Sequence, residues 1–435
     1  MLRFVVVLAL VFAVISDQAK ARIWYVEKDG SGDFLEIQPA VDVAASGDTI
    51  QIGPGRFNQL AASHCDRIVV DVYISPTQEK LVILGSGNDQ TIVGPVEPWD
   101  PYMPPVFGIG VAGFCGNRNL IVKGIRFENM AHGIHCEFAS FKDGGAGTSL
   151  YVDSCVFYGT KSGVFSDGDA ILVSNCTDFS SIFGAVFFST YLGAPVQNIE
   201  IRNCTSELTG MQTMHIVSGI LDSMYVVNCD FSGGSTDTGI GVASSAEFLY
   251  LRNVAISSGS RGVEFYGNEL VIDDCTFAEL KTGTWIRDAN VYMEIDSTTF
   301  SEMIESSIAY NEINQGGHVH NSVLDKGERF AVAIDPWLQS GKGRLAESLG
   351  LAPPMWSLPK SSPVPWSPEM FKAISNHLDM TNNYWGTDDP DSIQAWIEDG
   401  NDDPDWPYYI DWNPYKSDEV STEKKSMGNV KSMYR

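Results

Sequence analysis

Leu150-Tyr-Val-Asp-Ser-Cys155-Val-Phe157 returns along the chain as Ile171-Leu-Val-Ser-Asn-Cys176, Ile199-Glu-Ile-Arg-Asn-Cys204 and Met224-Tyr-Val-Val-Asn-Cys229-Asp-Phe231. Weaker copies fall at Leu120 to Ile125, Leu249 to Val254, Leu270 to Cys275, Met293 to Thr298 and Val319 to Ser322. Set in register on Ile125, Cys155, Cys176, Cys204, Cys229, Val254, Cys275, Thr298 and Ser322, the phrases are spaced by 30, 21, 28, 25, 25, 21, 23 and 24 residues. Spacings near 25 residues are those of a stacked repeat.

Counted from the Cys position, apolar residues recur at −5, −3 and 0, and a Phe or other apolar residue usually follows at +2. This is period-two alternation broken by one turn residue, often Asn (Asn175, Asn203, Asn228, Asn253, Asn321), a type that tolerates the left-handed backbone of a sharp bend. A Gly often marks +8 (Gly133, Gly163, Gly184, Gly262, Gly283) and opens a further short strand. Strands this short cannot bury an apolar face alone, whereas coils stacked at ~4.8 Å close a continuous core. The fold expected is all-β: a right-handed parallel β-helix, a solenoid of coils with two or three strands each. The Leu-x-x-Leu-x-Leu spacing of leucine-rich repeats and the Trp-Asp signature of propeller blades are absent.

The 435 residues fit one elongated unit of this kind. Arg3, the apolar run Phe4 to Ile15 and Ala19-Lys20-Ala21 read as a signal peptide over residues 1–21, so the expectation is a secreted or cell-surface protein with no membrane span. A net charge of −27, from 55 acidic and 28 basic side chains, disfavours nucleic acid and anionic membranes, and also bare contact with a polyanion unless divalent cations bridge it. Five of the eight cysteines (Cys155, Cys176, Cys204, Cys229, Cys275) share one inward position and are expected as a ladder of reduced thiols. Cys65, Cys115 and Cys136 lie outside it and are left open to pairing. Asn175-Cys-Thr177 and Asn203-Cys-Thr205 match the glycosylation pattern as by-products of the repeat.

At the N-terminus, Trp24-Tyr-Val-Glu-Lys-Asp-Gly-Ser-Gly-Asp-Phe34 precedes Ile37-Gln-Pro-Ala-Val-Asp-Val-Ala-Ala-Ser-Gly47, a short amphipathic helix placed to cover the open end of the first coil. Asp29-Gly-Ser-Gly-Asp-Phe34, Ile37-Gln, Ala40-Val41, Gly47-Asp-Thr-Ile50 and Gly53-Pro-Gly55 resemble the N-terminal cap of pectinesterases, within the pectin lyase-like superfamily. The resemblance is specific over about 35 residues and general to the fold over the coils, and it implies the β-helix. The catalytic words of pectinesterases (Gln-Asp-Thr, Asp-Phe-Ile-Phe-Gly, Gly-Arg-Pro-Trp) do not occur, nor do the polygalacturonase words Asn-Thr-Asp and Gly-His-Gly. Only Asp273-Asp274 and His132-Gly133 echo the latter, so the resemblance carries the fold and not the activity.

The domain is expected over residues 22–415. Between Asp325 and Asn376 the repeat lapses into a Pro- and Trp-rich excursion, read as folded against the flank of the helix. It resumes at Leu378, with a capping segment over 387–415 and a mobile tail over 416–435.

Alternation after the +8 Gly sends +10 and +12 outward on one sheet. The +10 column reads His135, Phe165, Val186, Met214, Gly241, Glu264, Trp285, Ile308, and the +12 column includes Glu137, Asp167, Tyr266, Arg287 and Tyr310. Glu137 and Asp167, in adjacent coils, are the pair expected to share a proton or hold a divalent cation such as calcium, with His135 beside them. The plainer alternative is a set of polar residues on a solvated strand. Glu264, Tyr266, Trp285, Arg287 and Tyr310 form the expected substrate-binding end, whose aromatics either stack on sugar rings or lie buried under the excursion. No other cofactor is implied: Asp399-Gly-Asn401-Asp-Asp403 lacks the Gly and the closing Glu of a calcium loop, and His132-x-x-His135-Cys136 mixes two strand faces, which zinc binding does not suit.

Three functions follow. The first is a monomeric secreted β-helix that binds extracellular polysaccharide on one sheet face. The second is a polysaccharide lyase or glycoside hydrolase using Glu137, Asp167 and His135, with Arg287 positioning a carboxylate. The third is a structural or adhesive spacer. Fold alone does not choose among them.

Overall fold

The computed structural model describes residues 21–59, 68–72, 80–96, 112–116, 119–130, 132–136, 149–160, 162–166, 170–179, 196–208, 214–218, 221–233, 240–287, 291–310, 317–324, 326–327, 331–334, 377–397, 409–413 and 415–416. They wind into a right-handed parallel β-helix with three walls. Wall one runs from Ile23–Val26 through Ser149–Asp153, Ala170–Ser174 and Val196–Arg202 to Tyr409–Asp411. Wall two is made of shorter strands, from Gly55–Phe57 through Val156–Tyr158 to Thr299–Ser301. Wall three begins at Ile68–Val72 and includes His132–Cys136, Ser162–Ser166, Ile240–Ser244 and Ser306–Tyr310.

The corners explain the phrase. Between walls one and two a single residue takes positive φ: Ser154, Asn175, Asn203, Asn228, Asn253, Asp274, Ser297 and Asn321 lie between 50° and 54°. Asn is favoured here because its side chain also pairs along the axis. Asn203 Nδ2 donates to Asn175 Oδ1 at 3.1 Å, Asn228 to Asn203 at 3.1 Å and Asn253 to Asn228 at 2.9 Å. A second left-handed corner, which the sequence reading missed, stands at Asn129, Gly159, Ser258, Glu279 and Glu302 before wall three.

Inward columns fill the prism. Leu150, Val152, Cys155, Phe157 and Val164 of one coil are all at most 2% exposed. The five ladder cysteines are buried thiols, and so is Cys136, outside the ladder. Burial raises the Cys176 thiol well above its ordinary range and pushes Cys275 up to about 12. Beyond Cys275 the same column turns polar, with the Cys275 amide donating to Thr298 Oγ1 at 3.4 Å, Thr298 to Ser322 Oγ at 3.2 Å and Ser322 to Asn383 Oδ1 at 2.8 Å. These bonds satisfy amides that would otherwise be orphaned in the core.

The +8 glycines are there for space. A Cβ on Gly133 would stand 2.5 Å from the Phe157 ring, and one on Gly262 or Gly283 at 2.5 Å or 2.4 Å from Phe277 or Phe300. The +2 phenylalanines stack through the interior, Phe277 on Phe300 at 5.0 Å and 19°.

Helix α1 (Ile37–Val43) buries Ile37, Ala40 and Val41 at the N-terminal end, as expected. Behind it Asp48 accepts from the amides of Arg22 and Ala45 and from Trp24 Nε1, at 2.8 to 2.9 Å. At the other end α2 (Pro390–Ala395) buries Ile393, and the Trp396 carbonyl accepts from Ala331 at 3.0 Å, so this cap closes wall three.

The interval 325–376 is not all excursion. Gly327 takes the second corner at φ 63° and Val332–Ile334 pairs with Ile308–Tyr310, so the coil of Ser322 runs on to Ile334. Residues 335–376, residues 1–20 of the expected signal peptide, the calcium-like loop at 399–403, Cys65 and most of the tail lie outside the described residues.

Gly262→Ala should cost about 1–3 kcal/mol by overpacking, and adding Phe277→Leu should return part of it, read by denaturant unfolding. Cysteine mapping by mass spectrometry should find Cys155, Cys176, Cys204, Cys229 and Cys275 unalkylated in the folded protein, even at alkaline pH, and all modified once it is unfolded.

Candidate functional site

Wall three brings four of the five expected binding residues together. Glu264 pairs in register with Trp285, two residues before Tyr266 and Arg287 in their respective coils. Glu264 points outward yet is fully buried, and Trp285 is 4% exposed. The carboxylate is held by Arg261 Nη1 at 2.8 Å, by Arg287 Nη1 at 2.7 Å and by the Tyr266 hydroxyl. Arg261 was not among the expected residues. Its signal was there: it sits three before Glu264 on the same strand, immediately before the +8 glycine.

This cluster is electrostatically closed. The hydroxyl of Tyr266 also accepts from Arg287, and burial together with the Glu264 charge pushes its ionisation far above the ordinary phenol range. Arg287, despite burial, is held protonated above its usual value by Tyr266 and Glu264. Both guanidinium carbons lie over the Trp285 ring, at 3.7 Å for Arg261 and 4.4 Å for Arg287, and Arg287 also lies 4.9 Å from the Tyr266 centroid. With Trp285 only 4% exposed and both guanidiniums against its ring, its π surface is closed to a sugar. The Glu264 carboxylate is occupied by three donors.

Tyr310 does not join the column of Tyr266 and Arg287. One extra residue stands between the corner at Glu302 and the strand that follows, compared with the corner at Glu279, so Ser306 pairs with Thr282, Ile308 with Thr284 and Tyr310 with Ile286. Trp285 has Ala309, not Ile308, as its outward neighbour, and Glu264 has Ala243 on its other side, not Gly241.

At the other end of wall three, His135 is 1% exposed, with its ring 4.6 Å from Phe165, edge to face, and 5.2 Å from His132. It is packed among rings rather than open to solvent. Glu137 and Asp167 lie outside the described residues; the strands leading to them are neighbours, with Cys136 opposite Ser166. No group of three His, Cys, Asp or Glu among the described residues is placed to hold a metal ion.

A different face carries a column of half-buried apolar side chains. On wall one the outward −4 column reads Ile121, Tyr151, Leu172, Glu200, Tyr225, Tyr250 and Val271 in register through successive coils, every one half-buried. Tyr225 lies 6.1 Å from Tyr250 and 5.6 Å from Phe248, centroid to centroid. Between Tyr151 and Tyr225 the smaller residues Ala170, Leu172 and Asn198 leave a groove of about 400 Å³ that Ser149, Glu200 and Arg202 also line. The charges flanking it have partners: Lys123 pairs with Asp153 at 3.4 Å and also lies over the Tyr151 ring at 4.5 Å, Arg252 pairs with Asp273 at 3.5 Å, and Arg202 pairs with Glu200. The sequence reading followed the strand after the glycine and passed over this column. Its signal was three tyrosines at one repeat position where an alternating strand is usually polar.

Residues 141–300 match the family model described as a right handed beta helix region. The fold class is that of right-handed parallel β-helix proteins. The right-handed β-helix that the repeat and the N-terminal cap implied is the fold observed. Among solved structures it is similar to a pectin methylesterase from carrot (14% identity, covering 60% of this chain and 82% of that one, TM-score 0.36). It is also similar to a rhamnogalacturonan lyase (11% identity, 69% and 87% covered, TM-score 0.47) and a pectate lyase (11%, 71% and 81%, TM-score 0.44). At these scores none of them carries an argument about activity. A search of curated proteins finds no match by sequence.

Replacing Glu264 by Ala should cost about 3–5 kcal/mol, because two guanidiniums lose their counter-charge in a buried setting. Tyr266→Phe should cost only about 1 kcal/mol. Equal losses in chemical denaturation would show that the carboxylate is not the hub of the cluster.

Proposed function

We propose that the chain is an exported β-helix that binds extracellular polysaccharide through the outer face of one wall and does not cut it. The observation that carries this reading is the row of half-exposed tyrosine and aliphatic side chains on wall one, open along a groove. Apolar surface kept in contact with water on a rigid sheet costs solubility, and its common use is recognition. Sugar rings present CH-rich faces to such aromatics and hydroxyls to the polar residues on either side.

The binding-only half of the reading is supported at the Glu264 end of wall three, and the Glu137 and Asp167 end is addressed by the experiment below. Glycoside hydrolysis takes two carboxylates, one of them able to hold a proton. The Glu264 carboxylate is neutralised by Arg261 and Arg287 and hydrogen-bonded to Tyr266, which suits a structural clamp. The acidic surface, at a net charge of −27, also argues against a polyanionic ligand held without bridging cations.

Purified protein should be retained on immobilised polysaccharide yet release neither reducing ends nor unsaturated products from a panel of plant, algal and bacterial polymers. Release that vanishes in Glu137→Ala and Asp167→Ala would establish the lyase or hydrolase reading instead.

A further inference from the structure

We infer that the ligand of wall one is an uncharged polysaccharide and that it lies along the axis of the helix, crossing the strands. This inference rests on the reading that wall one binds polysaccharide, and it adds the class of polymer and its direction.

The direction follows from the groove. Tyr151 stands at one end and Tyr225 at the other, three coil steps apart, so the slot between them is ~14 Å long and parallel to the axis. Its floor is low because Leu172 and Glu200 fill the two intervening −4 positions, with Ala170 and Asn198 beside them. Tyr250 continues the same line one coil beyond Tyr225. A chain laid across the axis would follow one strand and meet one tyrosine, whereas a chain along it meets all three. The stripe is one column wide at the groove, broadened by Phe248 beside Tyr225 and Tyr250, and Ser149, Asn198 and Ser223 edge it, with Ser149 donating to Asn119 and Ser223 to Asn198. That shape fits an extended polymer with apolar faces and hydroxyl edges. It suits a protein partner less well, since a stable protein contact buries roughly 800 Å² on each side, a far broader patch than a stripe one or two columns wide.

The class follows from charge. Among the described residues, the cations in the coils from Tyr151 to Tyr250 and the Lys123 beside them face carboxylates: Lys123 faces Asp153, Arg202 faces Glu200 and Arg252 faces Asp273. A uronate or sulfated chain would have to break these pairs and approach a strongly acidic protein. A neutral polymer leaves them intact, and Arg202 with Glu200 then offers both donors and acceptors to hydroxyls at the groove floor.

The test is affinity electrophoresis of the full chain through gels containing an uncharged β-glucan, an uncharged mannan, polygalacturonate or a sulfated glycan, at low and high salt. Expected are retardation by at least one uncharged polymer, insensitivity to salt, and a loss of about tenfold in affinity in each of Tyr151→Ala and Tyr225→Ala. Tyr225→Phe should retain binding, and unchanged unfolding midpoints separate lost contact from lost fold. Tyr250→Ala should weaken the polymer but not a short oligomer seated between Tyr151 and Tyr225.

Retardation only by charged polymers, falling with salt, would overturn the inference and leave polysaccharide binding standing. Sensitivity to only one of Tyr151 and Tyr225 would overturn the axial placement. Self-association abolished by Tyr225→Ala would give the stripe to a second copy of the chain. Binding to no polymer of any charge would remove the broader reading as well.

Discussion

Everything in this molecule depends on strands of one wall pairing in parallel and in register, one coil above another. Because residues about 25 apart become vertical neighbours, any preference at a corner or in the core is satisfied only if each coil repeats it. The positive-φ corner shows this most plainly. An Asn there meets the steric demand of the bend and hands its side chain to the Asn of the next coil, so Asn175, Asn203, Asn228 and Asn253 form one continuous chain of hydrogen bonds. The glycine before wall three answers a different constraint, the phenylalanine ring packed against it.

The same stacking sorts the outer surface into stripes with different chemistry. On wall three it sets Glu264, Trp285, Arg261 and Arg287 against each other, and the result is a closed, buried ion cluster. On wall one it lines up tyrosines and aliphatic residues with their flanking charges paired off. Interior and exterior thus obey one rule, but only the interior is constrained by packing density. Outside, the repeat is free to vary, and recognition draws on that freedom.

Legibility followed periodicity. The coil, the corner Asn, the thiol column and the two caps could be read because each recurs or matches a local pattern with a direct physical cause. The candidate site was read in part: Glu264, Tyr266, Trp285 and Arg287 do meet, but Tyr310 falls out of their column because one extra residue after Glu302 shifts the register. Such a slip is invisible to counting from the Cys, since the second corner has no dominant residue type; Asn129, Ser258, Glu279 and Glu302 all occupy it. Burial of His135 and Glu264 was equally hidden, because alternation says which way a side chain points and not what lies over it.

By itself, then, the sequence determined the winding: short alternating strands with a left-handed corner every 25 residues or so have few ways to hide their apolar side, and stacking is the one that pairs every backbone edge. Tertiary structure alone decided which outward residues are partners. It turned two arginines and a glutamate into a buried, hydrogen-bonded clamp over Trp285, and it aligned Tyr151, Tyr225 and Tyr250, up to 99 positions apart in the chain, into one groove-bearing line. The physical reason is that contact across coils depends on the exact count of residues at each corner, a quantity no single coil reveals.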